Sequence, residues 1–263
     1  MKRSPQITLG HRSSLALTAS KSVGVLWLLC LPLAWSSPAS AQDAPPKYPN
    51  RAPIEQYLSS SPAAEIALAR TAAAKSVSDN ATILVLGKDG YETAVHGSND
   101  FTCYVGRSWE QDFDDPEFFS PNGRTPQCWN AAAASSVLPD ILKRAQWVLA
   151  GVSKEEMLAR TKAELAAHEI GTPAPGSMVF MLSKDQYIND AVANWYPHVM
   201  FFVPAAAAEG SAWGANLHGS PIFSTTSDVE PITTYFVLAP KWSDGSLSPA
   251  DVSTSKPDEQ HHH

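Results

Sequence analysis

The first 41 residues of this 263-residue chain are basic and apolar, and none of them is acidic. The basic side chains of this segment precede an apolar run over residues 22–35. This run is shorter than the roughly 20 apolar residues that a membrane-spanning helix needs. Ala39 and Ala41 then supply the small side chains of an A-x-A cleavage site. The sequence therefore predicts an export signal that is cleaved between Ala41 and Gln42, with a permanent membrane anchor as the alternative. The mature domain is expected to be periplasmic or secreted.

Removal of this leader changes the charge of the chain. Four of the 19 Lys and Arg residues and none of the 26 Asp and Glu residues lie in the leader. The formal charge therefore goes from −7 to −11 over the remaining 222 residues, a length that suits one domain. A surface this acidic repels phosphate backbones and anionic lipids. We expect no nucleic-acid partner and no membrane span in the mature chain.

Two cysteines, Cys103 and Cys128, remain after the leader. In an oxidising compartment such a pair is most simply a disulfide. The alternative is a redox or metal-binding pair, but the spacing is not C-x-x-C and no histidine is near in the sequence. The sequence predicts a structural disulfide, and it predicts no metal and no other cofactor.

Helix starts and strand patterns predict an α+β fold. Ser61 followed by Pro62 is typical of a helix start, and Ser153 with Glu156 forms a capping box. The predicted strands are residues 82–86, 91–96, 101–105, 178–182, 198–203, 221–224 and 232–238. The element order, α-βββ-αα-βββ(β), indicates an antiparallel sheet of about six strands with helices on one face.

The predicted domain spans residues 61–245. Residues 42–60 are rich in Pro and Ser and are expected to form a tether, and residues 246–263 a flexible tail. The order of helices and strands resembles that of PAS-like, Cache and profilin-like sensor domains. That resemblance is one of element order and includes no diagnostic motif.

Four short segments resemble a group of uncharacterised bacterial exported proteins. They read GYETAV at 90–95, FDDPEF at 113–118, PHVMFF at 197–202 and WGANL at 213–217. The resemblance covers roughly residues 60–245 and implies export from a bacterial cell. It implies no activity, cofactor or catalytic residue, so it leaves the function open.

Two Trp and His pairs are the candidate ligand-binding residues. Trp195 and His198 flank the start of one predicted strand, and Trp213, Asn216 and His218 lie in a turn-rich loop before another. If the strands are neighbours, two imidazoles converge beside two indole rings. That arrangement suits half of a metal site or a pocket for an aromatic or sugar-like ligand. The alternative is that the indole rings cover the edge of the core and each imidazole makes a local hydrogen bond.

An acidic cluster lies in a predicted loop over residues 107–128. Its members are Asp112, Asp114, Asp115 and Glu117. Calcium would relieve the repulsion between such carboxylates, although Pro116 excludes an EF-hand loop. The alternative is a solvated loop with no ligand.

Three hypotheses for the function remain at this point. The first is a non-enzymatic domain that binds a small molecule or an envelope protein. The second is a hydrolase, metal-dependent or not, that uses His198 and His218 with a carboxylate from residues 112–117. The third is a structural interaction module for which residues 42–60 serve as the spacer. No catalytic motif such as G-x-S-x-G or H-E-x-x-H is present to favour the second.

Overall fold

One eight-stranded sheet organises the residues that the computed structural model describes, 47–208 and 213–248. Its strands are β1 (Thr82–Leu86), β2 (Tyr91–Val95), β3 (Thr102–Gly106), β4 (Thr125–Trp129), β5 (Met178–Met181), β6 (His198–Pro204), β7 (Ile222–Thr226) and β8 (Ile232–Leu238). They lie in the order β2-β1-β3-β4-β5-β6-β8-β7, and among these strands only β1 and β3 pair in parallel. The predicted leader, its cleavage site between Ala41 and Gln42, and residues 249–263 of the predicted tail lie outside the described residues.

Three of the five α-helices in the described ranges begin at a side-chain cap. The five helices are α1 (Pro62–Arg70), α2 (Lys75–Ser78), α3 (Ala131–Ser136), α4 (Leu138–Leu149) and α5 (Lys154–Ala166). The Ser61 hydroxyl accepts a hydrogen bond from the Ala64 backbone N–H, and Ser153 does the same for Glu156, as the sequence predicts. Among these helices none combines the length and apolar character that a bilayer crossing requires.

The helices cover both faces of the sheet. On one face, α1 and the residues after it pack on β1, β3 and β4, and Cys103 lies in this core. On the other face, α3 and α4 pack over a second core that includes Tyr104 and Trp129. Cys103 and Tyr104 are consecutive in β3, so they point to opposite faces.

The observed sheet therefore differs from the predicted sheet. The mixed α and β class agrees, but the sheet has eight strands, one parallel pair and helices on both faces. The strand that the sequence patterns miss is β4, which overlaps the end of the predicted loop 107–128. All five of its residues are buried, so it shows no alternation of exposed and buried positions, and Pro126 is typical of a turn. The resemblance to sensor domains rested on the predicted element order, and the structure adds β4 between β3 and α3 to that order.

Residues 47–60 pack against the domain and do not form the predicted tether. Tyr57 is fully buried, and its hydroxyl donates a hydrogen bond to the Phe119 carbonyl oxygen at 2.8 Å. The Tyr48 hydroxyl donates to the Asp190 carboxylate at 2.7 Å. Proline and serine content cannot reveal such contacts, because each tyrosine finds its partner far along the chain.

A buried ion pair joins α1 to the residue that follows β3. Arg107 Nη2 donates to both carboxylate oxygens of Glu65 at 2.9 Å, and neither side chain is more than 2% exposed. Nε of the same guanidinium donates to the Tyr57 carbonyl oxygen, and Nη1 donates to those of Val105 and Gly106. The N-terminal segment, α1 and β3 are therefore fixed at one point.

The disulfide lies in the core beneath α1. Cys103 of β3 and Cys128 of β4 are directly opposite each other, with their Cα atoms 4.0 Å apart, and they are bonded as the sequence predicts. Both side chains are fully buried. The bond therefore ties β4, which the sequence patterns miss, to the middle of the sheet.

Glu65→Ala should lower the free energy of unfolding by about 3–5 kcal/mol, because it leaves the Arg107 guanidinium buried and unpaired. As a control, Glu156→Ala breaks the exposed pair with Arg160 and should cost about 0.5 kcal/mol or less. The described residues, 47–208 and 213–248, belong to one compact unit, so urea unfolding of the chain from Gln42 onward measures both values. Equal losses in the two variants would contradict the role given to the buried pair.

Removal of the disulfide should also destabilise the fold. With a sequence separation of 25 between the two cysteines, the double variant Cys103→Ala/Cys128→Ala should lose about 3.5 kcal/mol on the chain-entropy account. Thiol labelling of the unfolded chain from Gln42 should detect no free thiol before reduction and two after it. Two free thiols before reduction would refute the bond.

Candidate functional site

Trp195 and His198 meet at the edge of the core that α3 and α4 cover. Their ring centres are 4.7 Å apart, and both rings also contact Phe236. His198 is only 2% exposed, and its Nδ1 donates to the Tyr196 carbonyl oxygen at 2.8 Å. Burial lowers the pKa of His198 from 6.5 to about 4, so the imidazole is neutral at pH 7.

Trp213 lies on the opposite face of the sheet. Its ring stacks on Tyr235 with 4.6 Å between centres, and it also contacts Phe201. Tyr235 precedes Phe236 in β8, so their side chains point to opposite faces. The two tryptophans therefore do not converge in one pocket, and His218 is an exposed residue of the Trp213 loop.

Asn216 covers the free edge of β7. Its backbone N–H donates to the Ile222 carbonyl oxygen at 3.0 Å. Its carboxamide donates to the Ser224 carbonyl oxygen and accepts from the Ser224 N–H, both at 3.1 Å. The φ angle of 59° is one that asparagine adopts more readily than most residues. An uncovered edge strand is a template for pairing with another chain, so Asn216 protects this edge.

The predicted acidic cluster divides into two parts. The Asp115 carboxylate accepts a hydrogen bond from the Glu117 backbone N–H at 2.6 Å, and Glu117 accepts one from the Asp190 N–H at 2.9 Å. These two carboxylates hold the loop together. Asp112 and Asp114 are exposed and line a cleft instead.

That cleft has a volume of about 330 Å³ and lies where three distant segments meet. The segments are the loop after β3, the first turns of α5 and the turn between β7 and β8. The apolar lining residues are Phe113, Leu158 and Val229. The charged lining residues are Asp112, Asp114, Lys154, Glu155 and Asp228. We call this feature the acidic cleft.

The carboxylates of the acidic cleft outnumber its one ammonium group by four to one. Desolvation by the surrounding protein raises the pKa of Asp112, and the negative charges of Asp114 and Glu230 raise it further. The carboxylates nevertheless remain spread along the lining. Among the described residues, no group of three or more His, Cys, Asp or Glu side chains is arranged to hold a metal ion. The calcium alternative therefore gains no support from the geometry.

A buried carboxylate lies two residues before the cleft loop begins. Glu110 Oε2 accepts a hydrogen bond from Gln127 Nε2 at 2.6 Å. Glu110 Oε1 and the Tyr104 hydroxyl are both buried without a well-formed hydrogen bond, although Tyr104 is near enough to favour the ionised carboxylate. Desolvation outweighs these contacts and raises the pKa of Glu110 from 4.5 to about 7.

The sequence identifies only part of this region. Asp112 and Asp114 stand out as members of an acidic run, but Glu155 and Asp228 belong to segments far away in the chain. Glu110 lies in the short 3₁₀ turn Ser108–Glu110, which carries no motif. No local pattern could have grouped these residues, because only the packing of the sheet, α4 and α5 brings them together.

Comparison with protein-family models, with curated proteins and with solved structures found no match to this chain. The fold and the acidic cleft define the class: a disulfide-bonded, mixed α and β domain with an open acidic cleft. The resemblance to uncharacterised exported proteins stays a prediction. Any function must follow from the geometry of the cleft and its surroundings.

Asn216→Gly should expose the edge of β7 while keeping the backbone conformation, since glycine adopts positive φ freely. We expect concentration-dependent self-association in sedimentation velocity and a loss of about 1–3 kcal/mol in the free energy of unfolding. Asn194→Gly is the control, because that exposed amide bonds only to the Lys184 carbonyl oxygen. A monomeric Asn216→Gly variant of unchanged stability would show that the carboxamide does not protect the edge.

Proposed function

We propose that this chain is an exported, non-enzymatic binding domain and that the acidic cleft binds an organic cation. The observation that carries the proposal is one cleft that combines apolar lining residues with an excess of carboxylates. Export is supported by the basic, apolar leader and by the disulfide between Cys103 and Cys128.

The size and lining of the acidic cleft suit a small ligand. A volume of about 330 Å³ lies at the lower end of the range for small-molecule sites. Phe113, Leu158 and Val229 offer apolar contact for an aliphatic chain, and the carboxylates offer partners for its charges. Such a lining favours a ligand that has both an apolar body and cationic groups.

The spread of the carboxylates favours an organic cation over a metal ion. A metal ion needs oxygen ligands that converge within about 2.3–2.6 Å of one point. The carboxylates of Asp112 and Asp114 come from one loop, whereas Glu155 and Asp228 come from two other segments. A linear polyamine, with ammonium groups spaced along a hydrocarbon chain, matches this distribution. A basic peptide of an envelope protein would use the same chemistry.

The rival hypotheses have less support. A hydrolase that used His198 and His218 would need an accessible imidazole near neutral pH. His198 is buried, and burial favours its neutral form far below pH 7. The third hypothesis used residues 42–60 as a spacer, but residues 47–60 pack against the domain. Neither histidine contacts the acidic cleft.

Spermidine is a suitable probe for the acidic cleft. Isothermal titration of the chain from Gln42 onward at low ionic strength should show saturable binding that weakens with added salt. The double variant Asp112→Asn/Asp228→Asn should bind at least tenfold more weakly, because two of the four carboxylates no longer attract the ligand.

The matched control is Asp89→Asn/Asp100→Asn, which removes the same charge from exposed turns outside the cleft. This variant should bind spermidine as the unmodified chain does. An equal loss in both double variants would mean that net charge alone attracts the ligand, and would contradict a specific site. Absence of saturable binding by the unmodified chain would also contradict the proposal.

A further inference from the structure

Glu110 is a buried carboxylate that has no cation of its own. Gln127 Nε2 donates to its Oε2, but this amide is neutral. The nearest guanidinium, that of Arg107, is already bound to both carboxylate oxygens of Glu65 and to three carbonyl oxygens. An ionised Glu110 would therefore stay largely uncompensated in the interior.

The other neighbours of Glu110 do not supply a positive charge either. Tyr104 of β3 is buried and neutral, because burial raises the pKa of its phenol well above 10. Tyr91 of β2 donates its hydroxyl proton to the Val105 carbonyl oxygen at 2.6 Å. From α4, the Arg144 guanidinium donates to backbone carbonyl oxygens and pairs with Glu230. The two guanidinium groups described here, those of Arg107 and Arg144, are thus each paired with another carboxylate.

The position of Glu110 links its charge to the acidic cleft. Arg144 donates to the carbonyl oxygens of Trp109 and Gln111, which flank Glu110, and Asp112 follows at once. Glu110 packs closely on Gly106: a Cβ atom added at Gly106 would lie 2.4 Å from Glu110 Oε2. The carboxylate therefore sits directly against β3, and its Oε1 has no contact with solvent although the residue as a whole is partly exposed.

From this geometry we infer that Glu110 is a pH-dependent switch that holds residues 108–114 closed while it is protonated; three of these residues, Asp112, Phe113 and Asp114, form a wall of the acidic cleft. The inference rests on the proposed function only where it gives that wall a role in ligand binding. The switch itself is argued from the surroundings of the Glu110 carboxylate. Ionisation of Glu110 favours an open wall in which the carboxylate reaches water.

The direction of the effect follows from proton linkage. Burial raises the pKa of Glu110 to about 7 in the closed form, and an exposed glutamate has a pKa near 4.5. The closed form therefore holds its proton more tightly, and it is most favoured below pH 4.5. Its advantage falls as the pH rises from about 4.5 to about 7 and is constant above that. The opening equilibrium should rise on the order of 100-fold across this window.

Hydrogen exchange with mass spectrometry tests the switch. With rates corrected for intrinsic exchange, amides of residues 108–114 should lose at least tenfold in protection between pH 5.0 and pH 8.0. Glu110→Gln, which cannot ionise, should show no such change. Glu92→Gln removes an exposed carboxylate of β2 and should behave as the unmodified chain does. Protection of β3 and β4 should not change with pH in any of the three proteins.

Two results would overturn the switch. One is the same loss of protection in Glu110→Gln as in the unmodified chain. The other is a titration of the Glu110 carboxyl near pH 4.5 by ¹³C NMR of the unmodified chain, a measurement that needs no variant to fold. Spermidine titrations at both pH values separate this inference from the proposed function. If spermidine does not bind but the exchange result holds, the proposed ligand is wrong and the switch stands.

Discussion

The ion pair between Arg107 and Glu65 is the interaction on which the rest of the structure depends. It is buried, and the Glu65 carboxylate also accepts hydrogen bonds from the Ser59 hydroxyl and the Leu86 backbone N–H. The N-terminal segment, α1, β1 and β3 therefore meet at two side chains. A buried pair of this kind contributes to a unique arrangement more than to stability, because desolvation offsets much of the attraction. Because the Arg107 guanidinium is paired with Glu65, it is not available as an ion-pair partner for Glu110.

Local signals in the sequence predicted local structure well. The caps at Ser61 and Ser153 and the apolar runs of most strands lie where the structure has them. The two main errors, the tether and β4, have one cause. Residues 47–60 and β4 are held by partners far along the chain, such as Phe119 for Tyr57 and Cys103 for Cys128. The spacing of apolar residues along the chain indicates which side chains are buried. It does not indicate which distant residues they contact.

The candidate site was less accessible to sequence reasoning. The two Trp and His pairs have similar spacing, but strand alternation places Trp195 and Trp213 on opposite faces of the sheet. Trp213 contacts Tyr235, whereas Trp195 contacts the next residue, Phe236, and this difference of one residue places the two rings on opposite faces. The spacing of residues in the sequence cannot predict it. The acidic cleft shows the converse. Its carboxylates come from three segments, and only the acidic run that contains Asp112 and Asp114 is recognisable in the sequence.

The acidity of the cleft follows from how the neighbouring cations are used. Arg144 lies next to the cleft, but it pairs with Glu230, and its guanidinium lies 4.4 Å from the Phe113 ring centre. Lys143 pairs with Glu164 at 2.8 Å. Among the lining residues, only Lys154 remains to oppose four carboxylates. Internal pairing therefore leaves four carboxylates and one ammonium group where three segments meet, and this excess of negative charge favours a cationic occupant.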